Sequence, residues 1–382
     1  MRVKAAAAFA ALLLVACSGS GSTTASSSRT SSPSTGSGLA FTKASDLRTR
    51  LDLLFGEQVL MVAKETAAAA YGTDEYPGYV ALLATNANDL EDVMRSAVGN
   101  TAAGEFAQAW SEQNRDLIEY AVGLVTHKQS QADSAAADLN GVFVPAFGRL
   151  ISSLTQLPAD QMSHMIALQL TAIEAVIADA VAQTFPQMYT DLHSAYAQTS
   201  KLGDQLAGRI VQLFPDKFPG DPSLHVVDLR ASVNTLLQEH AYITTMATDS
   251  VVRGRTSETP AVAAALAGST TSLGTDFAEL LGSATGKRVE QLWSLRDSKV
   301  LDYAGAAGTT TKESLVQSFA PQFASLARVA QTSAVDELSA TITVIDEQKS
   351  KTFASLAADD RAAAAAMEPI ADAIVAAGSA QG

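Results

Sequence analysis

The feature that most constrains this chain is an internal repeat. Residues 47–72 (LRTRLDLLFGEQVLMVAKETAAAAYG) return as residues 229–254 (LRASVNTLLQEHAYITTMATDSVVRG), with an offset of 182 at both ends (229 − 47 and 254 − 72). Further matches follow in the same order: Trp110-Ser111 with Trp293-Ser294, Glu119-Tyr120 with Asp302-Tyr303, and Phe143, Pro145 and Phe147 with Phe319, Pro321 and Phe323. The sequence therefore predicts a tandem duplication of one folding unit.

The spacing of the apolar residues is helical almost throughout. In the first copy Leu47, Leu51 and Leu54 follow steps of three and four residues, which place them on one face of a helix. Alanine, the residue with the best helix propensity, is abundant, and aromatic residues make up only 6% of the chain. No segment alternates apolar and polar residues with a period of two. We therefore predict an all-α fold.

Helix-stop signals divide each copy into about six helices. Gly72 and Gly99 end the first two, and Pro145 is placed to kink or split the fourth. The last predicted helix of the second copy runs from Ser350 to Ala377. Short loops between helices imply antiparallel neighbours. We predict two tandem antiparallel bundles, at 39–214 and 224–378, joined by a proline-rich linker at 215–223.

The first residues have the features of an export signal. Arg2 and Lys4 give a positive start, and the apolar run that follows is too short to span a bilayer comfortably. Leu14-Val15-Ala16-Cys17 resembles the bacterial lipobox, in which small residues precede a cysteine that is lipidated and becomes the new N-terminus. Cys17 is the only cysteine, which excludes a disulfide framework. The alternative is an ordinary secretory signal with a coincidental cysteine.

The stretch after Cys17 is mostly serine, threonine and glycine, with almost no apolar area to bury. Such a composition is typical of a flexible, disordered tether, which a lipid-anchored domain needs to clear the headgroups. We predict a signal peptide at 1–16 and a lipidated Cys17 with its tether at 17–38. The protein would then be extracytoplasmic, a lipoprotein held on the membrane of the cell envelope by acyl chains such as palmitate.

The charge of the chain argues against one class of partner. The net charge is −14, and a form that begins at Cys17 would carry −16, because Arg2 and Lys4 are lost (−14 − 2). An acidic surface repels phosphate backbones, and no basic cluster is present to overcome the repulsion. We predict that the protein does not bind nucleic acid.

Two aromatic pairs occupy equivalent places in the two copies. Trp110 is followed by Tyr120, and Trp293 by Tyr303. One interpretation is a ligand pocket floored by each pair. The other is that these side chains pack in two equivalent cores, as large aromatic residues commonly do.

Histidines raise the question of a metal ion. A metal-binding bundle would need His164, His193, Glu239 and His240 to converge within about 2–2.6 Å of one ion. Glu239 and His240 are neighbours on a predicted helix, so their side chains point about 100° apart. None of the five histidines follows a glutamate at the Glu-x-x-His spacing of di-iron bundles. The alternative places these histidines on the surface or at helix ends, with no cofactor.

The motifs, taken together, resemble the helical repeat region of secreted Gram-positive proteins. They are Leu229-Arg230, Glu239-His240, Leu292-Trp293, Asp302-Tyr303 and Phe214 to Phe218. Those proteins sometimes carry a copper amine oxidase-like N-terminal domain and take that name. The resemblance implies no known activity for the helical part. This sequence lacks the His-x-His and Asn-Tyr-Asp/Glu motifs of amine oxidases, and has Gln58 and Gln113 where members of the helical type carry histidine.

The sequence contains no Gly-x-Ser-x-Gly elbow and no glycine-rich phosphate loop. We therefore expect a non-enzymatic, lipid-anchored envelope protein that binds a protein or a small molecule. The alternative is a metal-binding helical bundle of the envelope. An enzyme remains as a third interpretation, with its site in a groove between the bundles where buried carboxylates converge.

Overall fold

A computed structural model describes residues 35–305 and 310–379. Cys17, the signal peptide and most of the predicted tether lie outside these residues. Within the two described ranges the regular elements are α-helices and one π-helical turn, and no strand occurs. The all-α prediction is confirmed.

The elements follow the order of the repeat. After the short α1 (Thr35–Ala40), the first copy contains α2 (Lys43–Tyr71), α3 (Tyr76–Val98), α4 (Asn100–Val125), α5 (Gln129–Asp138), a π turn (Leu139–Phe143), α6 (Val144–Thr155), α7 (Ala159–Ala182) and α8 (Phe185–Leu213). The second copy contains α9 (His225–Val252), α10 (Thr259–Leu281), α11 (Ser283–Ala304), α12 (Lys312–Ala327), α13 (Gln331–Ser350), α14 (Phe353–Ala365) and α15 (Glu368–Ser379). We call residues 35–213 the first half and residues 225–379 the second half.

Backbone conformation shows that the repeat extends into the late helices of both halves. Residues with positive φ end equivalent helices: Gly72 and Gly254, Gly99 and Gly282, Gln156 and Arg328, and Gln183 and Lys351. The offset therefore falls from 182 and 183 to 172 (328 − 156) and then 168 (351 − 183) along the chain. With these offsets α8 corresponds to α14 and α15 together.

Two predicted helices are divided. Pro145 lies in the first turn of α6, directly after the π turn, so the α-helical hydrogen-bonding pattern is interrupted where a kink or split was predicted, although the chain stays helical through this point. The single helix predicted from Ser350 to Ala377 is wrong, because α14 ends at Ala365 and α15 begins at Glu368. Pro369 is the reason: it has no N–H, and in a continuous helix its ring would clash with the carbonyl of Ala365.

The centre of the molecule is formed by α2 and α9. Each is buried along most of its length and packs against the other as well as against helices of its own half. The apolar core is continuous through both halves, and the described residues form one compact unit. The two copies therefore share one core. Of the described helices, α7 alone is long and apolar enough to cross a bilayer, but it packs against α2, α6 and α8 as a core helix does.

An arginine at the start of α2 joins the two halves. Arg48 binds Asp204 on α8 of its own half. Its Nη1 also lies 2.5 Å from Asp228 Oδ1, in the first turn of α9, and donates to the carbonyl of Pro222 at 2.6 Å. The start of the other central helix is thus fixed to α2.

The equivalent arginine of α9 repeats these contacts in the opposite direction. Arg230 Nε lies 2.8 Å from Asp372 Oδ1 on α15, and its Nη1 lies 2.6 Å from Asp46 Oδ1 in the first turn of α2. Its Nη1 also donates to the carbonyl of Ala40 at 3.2 Å. We call these two sets of contacts the arginine latch. They account for the Leu-Arg pair that opens both copies of the sequence repeat.

Candidate ligand-binding site

The interior of the second half contains a layer of buried charged groups. His240 Nε2 lies 3.1 Å from Asp297 Oδ1 and 2.6 Å from Trp293 Nε1. Arg296 binds Asp297 at 3.0 Å and also binds Glu337. Burial alone would raise the pKa of Asp297, but His240 and Arg296 outweigh it and hold this pKa below its usual value. We call these residues the buried polar layer.

The first half has the same layer in neutral form. The residues equivalent to His240, Asp297, Arg296 and Glu337 are Gln58 (240 − 182), Asn114 (297 − 183), Gln113 (296 − 183) and Gln169 (337 − 168). All four are buried, and Gln58 Nε2 donates to Asn114 Oδ1 at 2.5 Å. Because the amide half folds in the same way, the layer serves packing in both halves.

A second charged pair lies at the edge of this interior. Glu239 on α9 accepts a hydrogen bond from His193 on α8, with 2.8 Å between Nδ1 and Oε1. The side chain of Glu239 is 1% exposed, whereas that of His193 is 56% exposed. The hydrogen bond to Glu239 and its charge raise the pKa of His193. The other oxygen of Glu239, Oε2, is buried and has no hydrogen-bond partner among the described residues.

Two cavities adjoin this pair, and both are lined by His193 and Glu239. The larger, of about 510 Å³, is walled by the small residues of α10 and by Tyr189 and Ile243. The smaller, of about 280 Å³, is walled by polar groups that include Asp52. Burial, followed by the charge of Asp204, raises the pKa of Asp52 well above its usual value. Glu239 is therefore a carboxylate with a free acceptor atom beside a largely apolar cavity.

The structure brings together two of the four residues proposed as metal ligands. His193 and Glu239 are in contact, while His240 turns into the buried polar layer, as the 100° separation from Glu239 predicts. His164 is exposed on α7. In the part of the chain that the structure describes, no group of three or more His, Cys, Asp or Glu side chains could hold a metal ion.

The two tryptophans are fully buried in matching aromatic clusters. The ring centroid of Trp110 lies 5.9 Å from that of Phe147, and the centroid of Trp293 lies 4.8 Å from that of Phe323. Tyr120 and Tyr303 are half-buried, and the Tyr303 hydroxyl donates to Asp346 at 2.6 Å. These positions agree with the interpretation that the aromatic side chains pack in two equivalent cores.

No protein-family model matches the chain, and neither a curated protein nor a solved structure matches it significantly. The resemblance to the helical repeats of secreted Gram-positive proteins and the lipobox therefore stay predictions. Sequence reasoning selected His193 and Glu239 but did not find the cavities around them. The missing signal was the offset of 168 in the late helices. With this offset His193 is equivalent to Arg361 (361 − 168), and these two residues contact the equivalent glutamates Glu239 and Glu57.

Proposed function

We propose that the protein is a non-enzymatic lipoprotein of the bacterial cell envelope that binds a small organic cation beside His193 and Glu239. The observation that carries this proposal is the Oε2 atom of Glu239, which is buried without a partner in a wall shared by two cavities. Leaving a buried carboxylate oxygen unsatisfied costs free energy, and a ligand that donates a hydrogen bond removes that cost. Amine-bearing ligands meet this requirement.

The shape of the larger cavity supports a ligand with an apolar body. Ile243 and a row of alanines on α10 line it, and its volume of about 510 Å³ suits a small molecule. A primary ammonium group with a short alkyl chain would place its charge at Glu239 and its carbons along α10. Because Glu239 is buried, the ion pair would form in a medium of low dielectric constant, where it is strong.

His193 gives the binding a pH dependence with a definite sign. Protonated His193 already neutralises Glu239, so a cationic ligand competes with the His193 proton for the same carboxylate. Since Glu239 raises the pKa of His193 above its ordinary value of about 6.5, the affinity for an amine should increase as the pH rises through that raised pKa. It should level off once His193 is neutral.

Titration calorimetry with n-butylammonium, on the full chain in detergent with blank micelles as reference, tests the proposal. We expect one equivalent to bind, with affinity that rises by about tenfold or more between pH 6 and pH 9. Glu239→Gln should abolish binding, and His193→Gln should bind equally well at both pH values. Glu279→Gln, which alters an exposed His-Glu pair with His225, should change nothing. Equal binding of tetramethylammonium, which has no N–H group, would contradict the role given to Oε2.

The anchor is tested separately. Cells that express the protein are labelled with an alkyne analogue of palmitate, and the membrane fraction is examined for the labelled protein. We expect Cys17→Ala to lose the label and to leave the membrane fraction, because no other cysteine can carry acyl chains. Label retained by Cys17→Ala would contradict the lipoprotein assignment without affecting the ligand site.

A further inference from the structure

The internal repeat relates the smaller of these two cavities to a counterpart, which we call the second cavity, lined by the equivalent helices. It has a volume of about 340 Å³ and is lined by residues of α2, α3, α9, α14 and α15. Glu57 and Arg361 occupy the positions of Glu239 and His193 (239 − 182 and 193 + 168), and Asn234 occupies that of Asp52 (52 + 182). The two cavities therefore occupy equivalent positions in the repeat.

The carboxylate of this second cavity is not free. Arg361 binds Glu57 through Nε at 3.0 Å and through Nη2 at 2.8 Å. Asn86 and Tyr242 also donate to Glu57, at 3.1 and 3.2 Å. Both oxygens of Glu57 therefore already accept hydrogen bonds from residues around the cavity. A ligand has to be recognised by other groups.

Three side chains offer unused donors to the cavity. Arg50 is exposed and forms no ion pair or hydrogen bond with the described residues, and Nη1 of Arg361 has no partner among them either. The Oε1 atom of Gln238 accepts from Tyr196 at 2.9 Å, which leaves its Nε2 group available. Guanidinium and amide N–H groups arranged in this way bind a carboxylate.

Two further side chains offer acceptors in the same cavity. The Oδ1 atom of Asn234 is buried and has no hydrogen-bond partner among the described residues. Glu368, in the first turn of α15, forms no ion pair with them. The ionised side chains of the lining are two arginines and three acids, so their charges sum to −1 (2 − 3). A ligand without net charge meets no strong repulsion there.

We propose that this cavity binds a small zwitterion of the amino-acid type. Its carboxylate contacts Arg50, Nη1 of Arg361 and Nε2 of Gln238, and its ammonium group contacts Oδ1 of Asn234 and the carboxylate of Glu368. The side chain of the ligand lies against the alanines of α14 and the leucines of α2 that complete the wall. The volume falls within the usual range for small-molecule pockets, about 300–1,000 Å³.

The test is titration calorimetry of the full chain in detergent with each of the twenty amino acids in turn. We expect at least one to bind with one equivalent and a Kd below about 1 mM, and its carboxamide derivative, which lacks the carboxylate, not to bind. Arg50→Gln and Glu368→Gln should each weaken binding by about tenfold. Neither residue has a partner to lose, so both variants should fold. Arg149→Gln, which alters another exposed arginine, is the matched control.

Two results would overturn the proposal. One is the absence of binding by every amino acid up to about 10 mM. The other is binding that both Arg50→Gln and Glu368→Gln leave unchanged. Glu239→Gln should not affect amino-acid binding, so failure here is distinguishable from failure of the amine site.

Discussion

Replacing Arg296 by glutamine should lower the free energy of unfolding by about 3–5 kcal/mol, the usual cost of removing one partner of a buried ion pair. Arg296 and Glu337 are both fully buried and bind each other in the buried polar layer. Glutamine keeps a polar group at the site but leaves the charge of Glu337 without a counter-ion. The measurement is equilibrium unfolding in urea, followed by circular dichroism.

The first half supplies the control for this experiment. Gln113 and Gln169 stand at the equivalent positions, so the double variant Arg296→Gln/Glu337→Gln carries the pair that the first half already uses. Because the double variant removes the charge of Glu337 and leaves His240 beside Asp297, it should regain part of the lost stability. If it were no more stable than Arg296→Gln alone, the neutral layer of the first half would not be a valid substitute, and the equivalence of the two layers would be wrong.

Replacing Lys64 by methionine should cost a similar amount, about 3–5 kcal/mol. Lys64 is a buried cation on α2 that binds Asp360 on α14, and its Nζ also donates to Thr245 at 2.8 Å. Asp360 is fully buried and accepts hydrogen bonds from Thr245 at 2.6 Å and from Tyr79 at 3.0 Å. The substitution leaves the buried Asp360 side chain without its cationic partner, in contact with the neutral donors Thr245 and Tyr79. Urea unfolding of the variant again gives the free energy.

Here too the repeat indicates the compensating change. The position of Lys64 corresponds to Met246 (64 + 182), and that of Asp360 corresponds to Leu192 (360 − 168), both buried in the core. The double variant Lys64→Met/Asp360→Leu should therefore be substantially more stable than Lys64→Met. A double variant that is less stable than Lys64→Met would show that Thr245 and Tyr79, rather than the charge of Lys64, set the energy of this cluster.

Local signals predicted the helical order of the chain well. Gly72 and Gly99 end α2 and α3 where their special conformations were expected, and Pro145 marks the division between the π turn and α6. The break before α15 was missed because Pro369 follows shortly after a run of five alanines, 362–366, whose helix propensity suggested continuity. A proline is visible in the sequence, but its ring clashes with the carbonyl four residues earlier only if the chain between them is helical.

The site was harder to predict because its contacts are not local. Glu239 and His193 are 46 residues apart in sequence, and their association depends on how α8 packs at the edge of α9. Glu57 and Arg361 are 304 residues apart and belong to different halves. Sequence identity between the halves is too low in the late helices to show the offset of 168. The equivalence of the Glu239–His193 pair and the Glu57–Arg361 pair was therefore not visible in the sequence.

The arginine latch has a consequence for the history of the chain. Each of its contacts occurs twice and in opposite directions, which is the pattern of an isologous interface in a homodimer with twofold symmetry. In a homodimer encoded by one gene, every substitution changes both sides of such an interface at once. In a single chain that holds both copies, this restriction does not apply. Equivalent positions are then free to differ, and the chain holds His240 and His193 where the equivalent positions hold Gln58 and Arg361. A titratable pair can therefore occur in one of two equivalent sites.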